Sequence, residues 1–404
     1  MQISFEIVGK ISIPKESEKF KNYEEVEYKS GWINRTLKFN LISGDNRFML
    51  QSKGGCFKDG HGDLYLFGKD YTKDDGAKVK GSAYTIPFKD RFDEDKIAEC
   101  ADFKKFVCDL EQPGRRWKLQ NAADKLKDGY EFTDDELKVL GVANSNEIAA
   151  ELEKSKKKHK EFLSAYDYAE FLHKVFTSDK YKNKKFRIRG NYEMQYSDEK
   201  QRWYNNYVPN RIYLMDDDAE EMATASLVLL YDENSLDSMS AEETGKYYVN
   251  GYVEVYDSNR KANIFSPYTV VISDKNEKKV KKLVDMFTVE DGVKQLGMVV
   301  DLLDGSQRTE IKLEDLDDET QDNILCGLVD FEDVKRDLGG STYGERVTEN
   351  RFKKLGRGYA AGAQDTVYNS EDLVVKPLGS DKEESVDLFA EDDDDMDLFN
   401  WLKL

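Results

Sequence analysis

Alternate residues between Lys185 and Tyr196 fall into two chemically distinct sets. One parity holds Lys185, Arg187, Arg189, Asn191, Glu193 and Gln195, and the other holds Phe186, Ile188, Gly190, Tyr192, Met194 and Tyr196. Side chains alternate across a strand, so the first set is expected to face water and the second a core. The facing segment sorts in the same way if it is regular. Tyr204, Val208, Ile212 and Leu214 then suit the core, and Trp203, Tyr207, Arg211 and Tyr213 turn outward. A single β-bulge would exchange the two faces. The expected outer face gathers Lys185, Arg187, Arg189 and Arg211 with Trp203, Tyr207 and Tyr213. Cationic groups between exposed rings suit a nucleic acid single strand: the charges meet phosphates, and each ring accepts an unstacked base for about 1–3 kcal/mol. The plain alternative is ordinary strand composition, because Tyr and Trp favour strands in any case.

An earlier hairpin repeats the pattern. Ile33, Leu37, Phe39 and Leu41 take the core parity, and Trp32, Asn34, Lys38 and Asn40 the other. On the return strand Phe48 and Leu50 point inward, leaving Arg47, Met49, Gln51 and Lys53 outside. Trp32, Lys38, Arg47 and Lys53 therefore join the candidate nucleic-acid contacts. If both hairpins belong to one barrel, their outer faces form one continuous groove.

A second chemistry is encoded more weakly. Asp304-Gly305 reads as a two-residue hairpin turn, which would place Asp301 opposite Arg308 with Glu310 and Lys312 on the same face. An Asp followed by Glu-x-Lys on adjacent strands could hold Mg²⁺ and orient a water for phosphodiester cleavage. The competing reading is a solvated hairpin with cross-strand charge pairs. No Gly-x-x-x-x-Gly-Lys-Ser/Thr loop occurs, so nucleotide hydrolysis on a phosphate-binding loop is not expected. Cys56, Cys100, Cys108 and Cys326 form no C-x-x-C pair, and His61, His159 and His173 are the only histidines. No structural zinc site, disulfide, cofactor or catalytic residue is expected.

Positioning these faces requires short antiparallel strands. They read as Ile3–Ile13, Trp32–Ile42 and Arg47–Lys53 around Ser43-Gly44-Asp45-Asn46, Phe186–Tyr196 and Trp203–Leu214, and then Leu227–Tyr231, Tyr247–Tyr256, Tyr268–Ser273 and Val347–Leu355. The Gly54 to Gly62 stretch reads as a flexible loop. Between residues 97 and 176 the period becomes helical: Phe103, Phe106, Val107 and Leu110 recur at helix spacing, Thr133-Asp-Asp-Glu136 is a capping box, and one long helix is expected over Ser145–Phe176. Helices are also expected at Lys278–Phe287, Asp317–Cys326 and Phe331–Leu338. Gly190-Asn-Tyr-Glu193 and Gly251-Tyr-Val-Glu254 echo each other. The expected class is α+β, with two five-stranded Greek-key barrels and a β sandwich as the alternative. The expected division is residues 1–215 with a helical insertion at 97–176, a second β-rich unit at 222–358, and a flexible linker and tail at 359–404.

Charge bounds the partners. The chain of 404 residues carries a net charge of −20. Residues 381–404 hold ten acids and two bases, a net of −8, so the body carries −12. This argues against a generic polyanion binder but not against one that gathers its bases on a single face, because the local field guides a strand. No apolar run approaches the roughly 18 residues of a membrane span, and Met1 to Lys10 reads as a strand and not as a signal peptide. A cytoplasmic location and no membrane partner are expected.

The tail joins Asp392, Asp393, Asp394 and Asp395 to Leu398, Phe399 and Trp401. Like charges keep such a segment extended, and the apolar end seeks a pocket on another protein or lies transiently on a basic groove of its own body. The plain alternative is a solubilising tail whose last apolar residues pack back on the domain.

The stretch Gly31-Trp-Ile-Asn-Arg-Thr-Leu-Lys-Phe-Asn40, Ser43-Gly-Asp-Asn-Arg47, the hairpin 184–214 and the acidic apolar tail together resemble bacteriophage single-stranded DNA-binding proteins built on the OB fold. The likeness is best over residues 1–215 and the tail. It implies OB-fold-like barrels and a replication or recombination factor that coats single-stranded DNA and recruits replication or recombination proteins through its C-terminus. Bacterial relatives end their acidic tip at a phenylalanine, whereas Asn400 to Leu404 follow Phe399 here. The other functional classes are the metal nuclease above and a non-catalytic scaffold.

Overall fold

The computed structural model describes residues 3–375 apart from 74–75, 258, 311–312, 314–315 and 338–340, and apart from the side chains of 307–310, 336–337 and 341–345. Ten strands organise it: β1 (Ile3–Ser12), β2 (Trp32–Ser43), β3 (Asn46–Phe57), β4 (Lys185–Ser197), β5 (Arg202–Leu214), β6 (Met222–Tyr231), β7 (Tyr247–Asp257), β8 (Ala262–Ile272), β9 (Lys294–Glu310) and β10 (Ser341–Leu355). The architecture is mixed α and β, and the large sheet carries most of it.

The pairings close on themselves twice. In the first circle β1 pairs with β2, β2 with β3, β3 in parallel with β5 at Leu50 and Tyr207, β5 with β4, and β4 back with β1. The second circle repeats this order: β6 with β7, β7 with β8, β8 in parallel with β10 at Val271 and Arg351, β10 with β9, and β9 with β6. A helix lies between the third and fourth strands of each, α1 (Ala165–Phe176) in the first and α2 (Glu277–Phe287) in the second. The circles join where β1 pairs with β6 from Ser4↔Ser226 to Val8↔Met222.

Local sequence explains these elements. Along β3, Phe48, Leu50 and Ser52 are buried while Arg47, Met49 and Lys53 are exposed, a period of two. In α1, Tyr168, Ala169, Leu172 and Val175 form one buried stripe, and the Ser164 hydroxyl caps the start by accepting from the Tyr166 amide. Phe176 carries that stripe onto Phe39 at 4.8 Å and Phe186 at 5.9 Å between ring centroids. Full burial of each such ring contributes about 1.5–3 kcal/mol. One core cluster runs through both circles, from Phe39 and Ile188 to Val270 and Leu296.

Several expectations are corrected here. The expected helix over 145–176 is split into Glu147–Lys157, the strand His159–Phe162, and α1. The strand pairs with Phe106–Asp109, the segment expected to be helical around Phe106 and Val107. Charge pairing favours the extended form: Asp109 takes two hydrogen bonds from Arg116 and one contact from His159, and Lys105 donates to Glu161 at 2.8 Å. The helices that remain, Arg115–Lys127, Asp134–Leu140 and Glu147–Lys157, share a small core of their own around Leu119, Leu137 and Ile148. The capping box at Thr133 and Glu136 is formed as expected.

No turn occurs at Asp304-Gly305. β9 runs through it, with Asp304 facing Thr348 and Gly305 facing Val347 on β10. A Cβ on Gly305 would lie 2.0 Å from the Asp45 carbonyl oxygen, so glycine here serves close approach between the circles. The Asp304 amide donates to Asn46 Oδ1 at 2.9 Å. The two glycine echoes also part company, Gly190 lying in the fourth strand of one circle and Gly251 in the second strand of the other.

Candidate nucleic-acid interface

The hairpin of β4 and β5 forms where expected, but it carries a bulge. Arg189 faces Arg211, whereas the next residue, Gly190, faces Pro209, which leaves Asn210 as the extra residue. Proline has no N–H to give the ladder and is tolerated in sheets at such irregularities. Arg211 and Tyr213 therefore share a face with Arg187 and Arg189, as expected. Below the bulge the parity of β5 is exchanged: Tyr204, Asn206 and Val208 face Gln195, Glu193 and Asn191.

This corrects the facing of three aromatic residues, Tyr204 turning outward and Tyr207 and Trp203 inward. Tyr207 pairs with Tyr192 on the inner side, 5.2 Å from Phe5, 5.7 Å from Phe48 and 4.7 Å from Tyr192. Burial pushes its phenol well above the ordinary range. Trp203 pairs with Tyr196, 5.3 Å away, and packs against the core. Neither ring stands on the outer sheet face.

The cations of the upper face have partners. Arg187 and Arg189 converge on Glu6 at 3.4 and 2.8 Å. Lys185 donates to the Ala219 carbonyl at 2.7 Å, with Glu221 3.3 Å away, and Arg211 donates to the Asp102 carbonyl at 2.6 Å. Tyr213 lies half-buried beside Arg187 in a hollow that also holds the exposed Trp117.

The two hairpins do share a groove, lower on the first circle, with a volume of about 940 Å³. Asn34, Gln51, Asn191, Gln195, Asn206 and Asn210 give it an amide-rich lining, and Lys53 stands at its side. Trp32 lies against Gly55, where a Cβ would meet the indole at 2.5 Å, and edge-on to Phe57 at 5.1 Å. Lys38 and Arg47 do not line the groove. The Lys38 ammonium instead sits 5.5 Å above the Phe20 ring, and Arg47 is exposed elsewhere on β3.

The rest of the lining was not legible as a site. Tyr65 comes from the short strand Asp63–Phe67 and is 60% exposed, and Phe103 is 67% exposed. Lys104 lies 5.9 Å above Tyr65 and 5.2 Å above Phe67, and Phe67 is 5.7 Å from Phe103. Phe103 reads as helical core in sequence because its neighbours recur at helix spacing. It lies instead in a single turn of 3₁₀ helix, Asp102–Lys104, that presents the ring to the groove. Lys105 also lines the groove but is buried and committed to Glu161. The groove adjoins, at Asn191 and Asn210, the hollow holding Arg189 and Arg211.

Glu193 occupies the lining of this groove beside Asn191 and Gln195, facing Asn206 across the ladder. Desolvation by the surrounding walls raises its carboxyl above the ordinary value.

The nuclease constellation does not assemble. Asp301 and Glu310 lie on one continuous strand, nine residues apart, which at ~3.3 Å per residue separates them by about 30 Å. Asp301 pairs instead with Lys353 at 2.8 Å. Lys312 and the Glu310 side chain lie outside the described residues, and no group of three metal-ligating side chains occurs among the described ones. The four cysteines carry free thiols, with Cys56, Cys100 and Cys108 buried and Cys326 exposed. The tail residues Asp392, Asp393, Asp394, Asp395, Leu398, Phe399 and Trp401 also lie outside the described residues. Among the described residues, no helix is long and apolar enough to cross a membrane.

No protein-family model matches this chain, and no curated protein does. Among solved structures, it is similar to a deletion mutant of the single-stranded DNA binding protein from Thermus aquaticus. The identity is 9%, the match covers 75% of this chain and 87% of that one, and the TM-score is 0.28.

Proposed function

We propose that this protein binds single-stranded DNA, without catalysis, in the groove between Trp32, Tyr65 and Phe103. The observation that carries the reading is the pair of solvent-exposed rings, Tyr65 and Phe103, beside Lys104 in the same groove lining as Trp32 and Lys53. Exposed rings accept unstacked bases, nearby cations meet the backbone, and a duplex offers no base faces to such a surface. The Arg189 and Arg211 hollow continues the path, where a phosphate would compete with Glu6 for the guanidinium groups. Trp203 and Tyr207 drop out of the interface, since both rings serve the core.

The strand order of each circle, with a helix between its third and fourth strands, supports reading the chain as two OB-fold-like barrels. We propose residues 1–215, with the insertion at 97–176, as the binding unit and 222–358 as its companion. We further propose that residues 359–404 act as a linker and tail that recruits replication or recombination proteins, in the phage setting implied by the resemblance noted above.

Titration of the full chain with fluorescently labelled oligo-dT, and with duplex of equal length, at two salt concentrations tests this reading. The single strand should bind far more tightly than the duplex and lose affinity steeply with salt. Equal affinity for both, or no binding at low salt, overturns it.

A further inference from the structure

Glu193 is an acid in a place where the proposed ligand is an acid. It lines the groove between Asn191 and Gln195, and among the described residues it accepts no hydrogen bond and forms no ion pair. Two carboxylates outside the groove lining are neutralised: Glu161 by Lys105, and Glu6 of the adjoining hollow by Arg187 and Arg189. The Glu193 carboxylate is exposed to water in the free protein, and a strand lying in the groove would displace that water and leave it without a donor unless a base supplies one. A phosphate cannot be that donor, so at Glu193 a bound strand must present a base, while its phosphates meet the cations of the adjoining hollow.

We propose that Glu193 is a specificity-determining residue that accepts a hydrogen bond from the exocyclic amine of a base, so the groove favours cytosine over thymine. This inference rests on the single-strand reading of the same groove. An ionised carboxylate is acceptor-only. Cytosine presents an N4 amine to such an acceptor, and carboxylates take that hydrogen bond in nucleic-acid recognition. Thymine presents a carbonyl oxygen at the same position, which Glu193 repels. The amides of Asn191, Gln195 and Asn206 can each donate and accept, so they tolerate either base. Glu193 alone among these neighbours imposes a sign.

The test compares labelled oligo-dC and oligo-dT of equal length at pH 7.5, against the full chain and its Glu193→Gln and Glu193→Ala variants. The wild type should prefer dC by about fivefold or more, the low end of discrimination by one good base contact. Glu193→Gln, which can also donate, should gain affinity for dT and narrow the ratio toward one. Glu193→Ala should narrow the ratio as well, by removing both attraction and repulsion. A dC:dT ratio unchanged in both variants, or no dC preference in the wild type, overturns the assignment while leaving the groove reading in place. Failure of the wild type to bind either oligonucleotide overturns both.

Discussion

Pro209 stands opposite Gly190 and leaves Asn210 without a cross-strand partner. That one extra residue decides which side chains of β5 meet solvent. Deleting Asn210 would remove the bulge and force either Trp203 and Tyr207 outward or Ile212 and Leu214 outward, because a one-residue slip reverses every facing. The expected outcome is loss of a cooperative thermal transition, read by circular dichroism. A deletion variant that melts like the parent would show that the bulge is dispensable.

Rings of the groove and rings of the core should separate cleanly by mutation. Phe103→Ala and Tyr65→Ala should each weaken oligo-dT binding by about 1–3 kcal/mol with little change in Tm. Tyr207→Ala should lower stability by about 3 kcal/mol, as large-to-small core changes do. Paired anisotropy and melting measurements on the three variants check this. Phe103→Ala with undiminished affinity would remove the wall from the interface.

The Asp109, Arg116 and His159 cluster gives stability a dependence on pH. Burial alone would raise the Asp109 carboxyl, but hydrogen bonds from Arg116 and His159 outweigh it and hold the group well below the usual range. The same Asp109 contact, aided by Glu161, raises His159 against burial. Asp109, depressed in the folded state, contributes stability above its unfolded pKa of about 3.9, and this is lost as acid protonates it. His159, raised in the folded state, contributes fully below about 6.5 and loses that contribution as pH rises through its folded pKa. The cluster is therefore most stabilising between about pH 4 and 6.5. Urea denaturation at pH 6 and pH 8 should show His159→Gln losing more stability at pH 6 than at pH 8, the penalty shrinking as pH rises through the folded pKa. A penalty that is the same at both values would mean the imidazole acts only by packing.

Gly305 joins the two circles by having no side chain. Gly305→Ala would press a Cβ against the Asp45 carbonyl, 2.0 Å from its ideal position, at a cost of about 1–3 kcal/mol as for other overpacked sites. Thermal melts of the variant measure the loss. An unchanged Tm would show that the junction yields.

Removing residues 381–404 takes away a net charge of −8. Affinity for oligo-dT should hold or rise, since a competing polyanion has gone. A clear fall in affinity would place those residues in the binding surface itself.

Much of the local architecture could be read from sequence. The turn Ser43-Gly44-Asp45-Asn46 joins β2 and β3, the capping box begins at Thr133, and α2 occupies Glu277–Phe287. Each depends on residues within a few positions of one another, so composition and period suffice. Alternation likewise set Arg187 and Arg189 apart from Phe186 and Ile188, because parity along an unbroken strand is a local property.

Facing and partnership were settled only by the fold. Pro209 was the available signal for the bulge, but which residues it would turn inward depended on the register with β4. Lys158–Leu163 left the helix because Asp109 and Lys105, some fifty residues earlier, hold its charges in an extended strand. Gly305 looked like a turn and proved to be a point of close approach to Asp45. Tyr65 and Phe103 became part of the groove only when the fold brought them into one lining with Trp32. Contacts between distant parts of the chain carry no period in sequence, and those contacts assembled the candidate site.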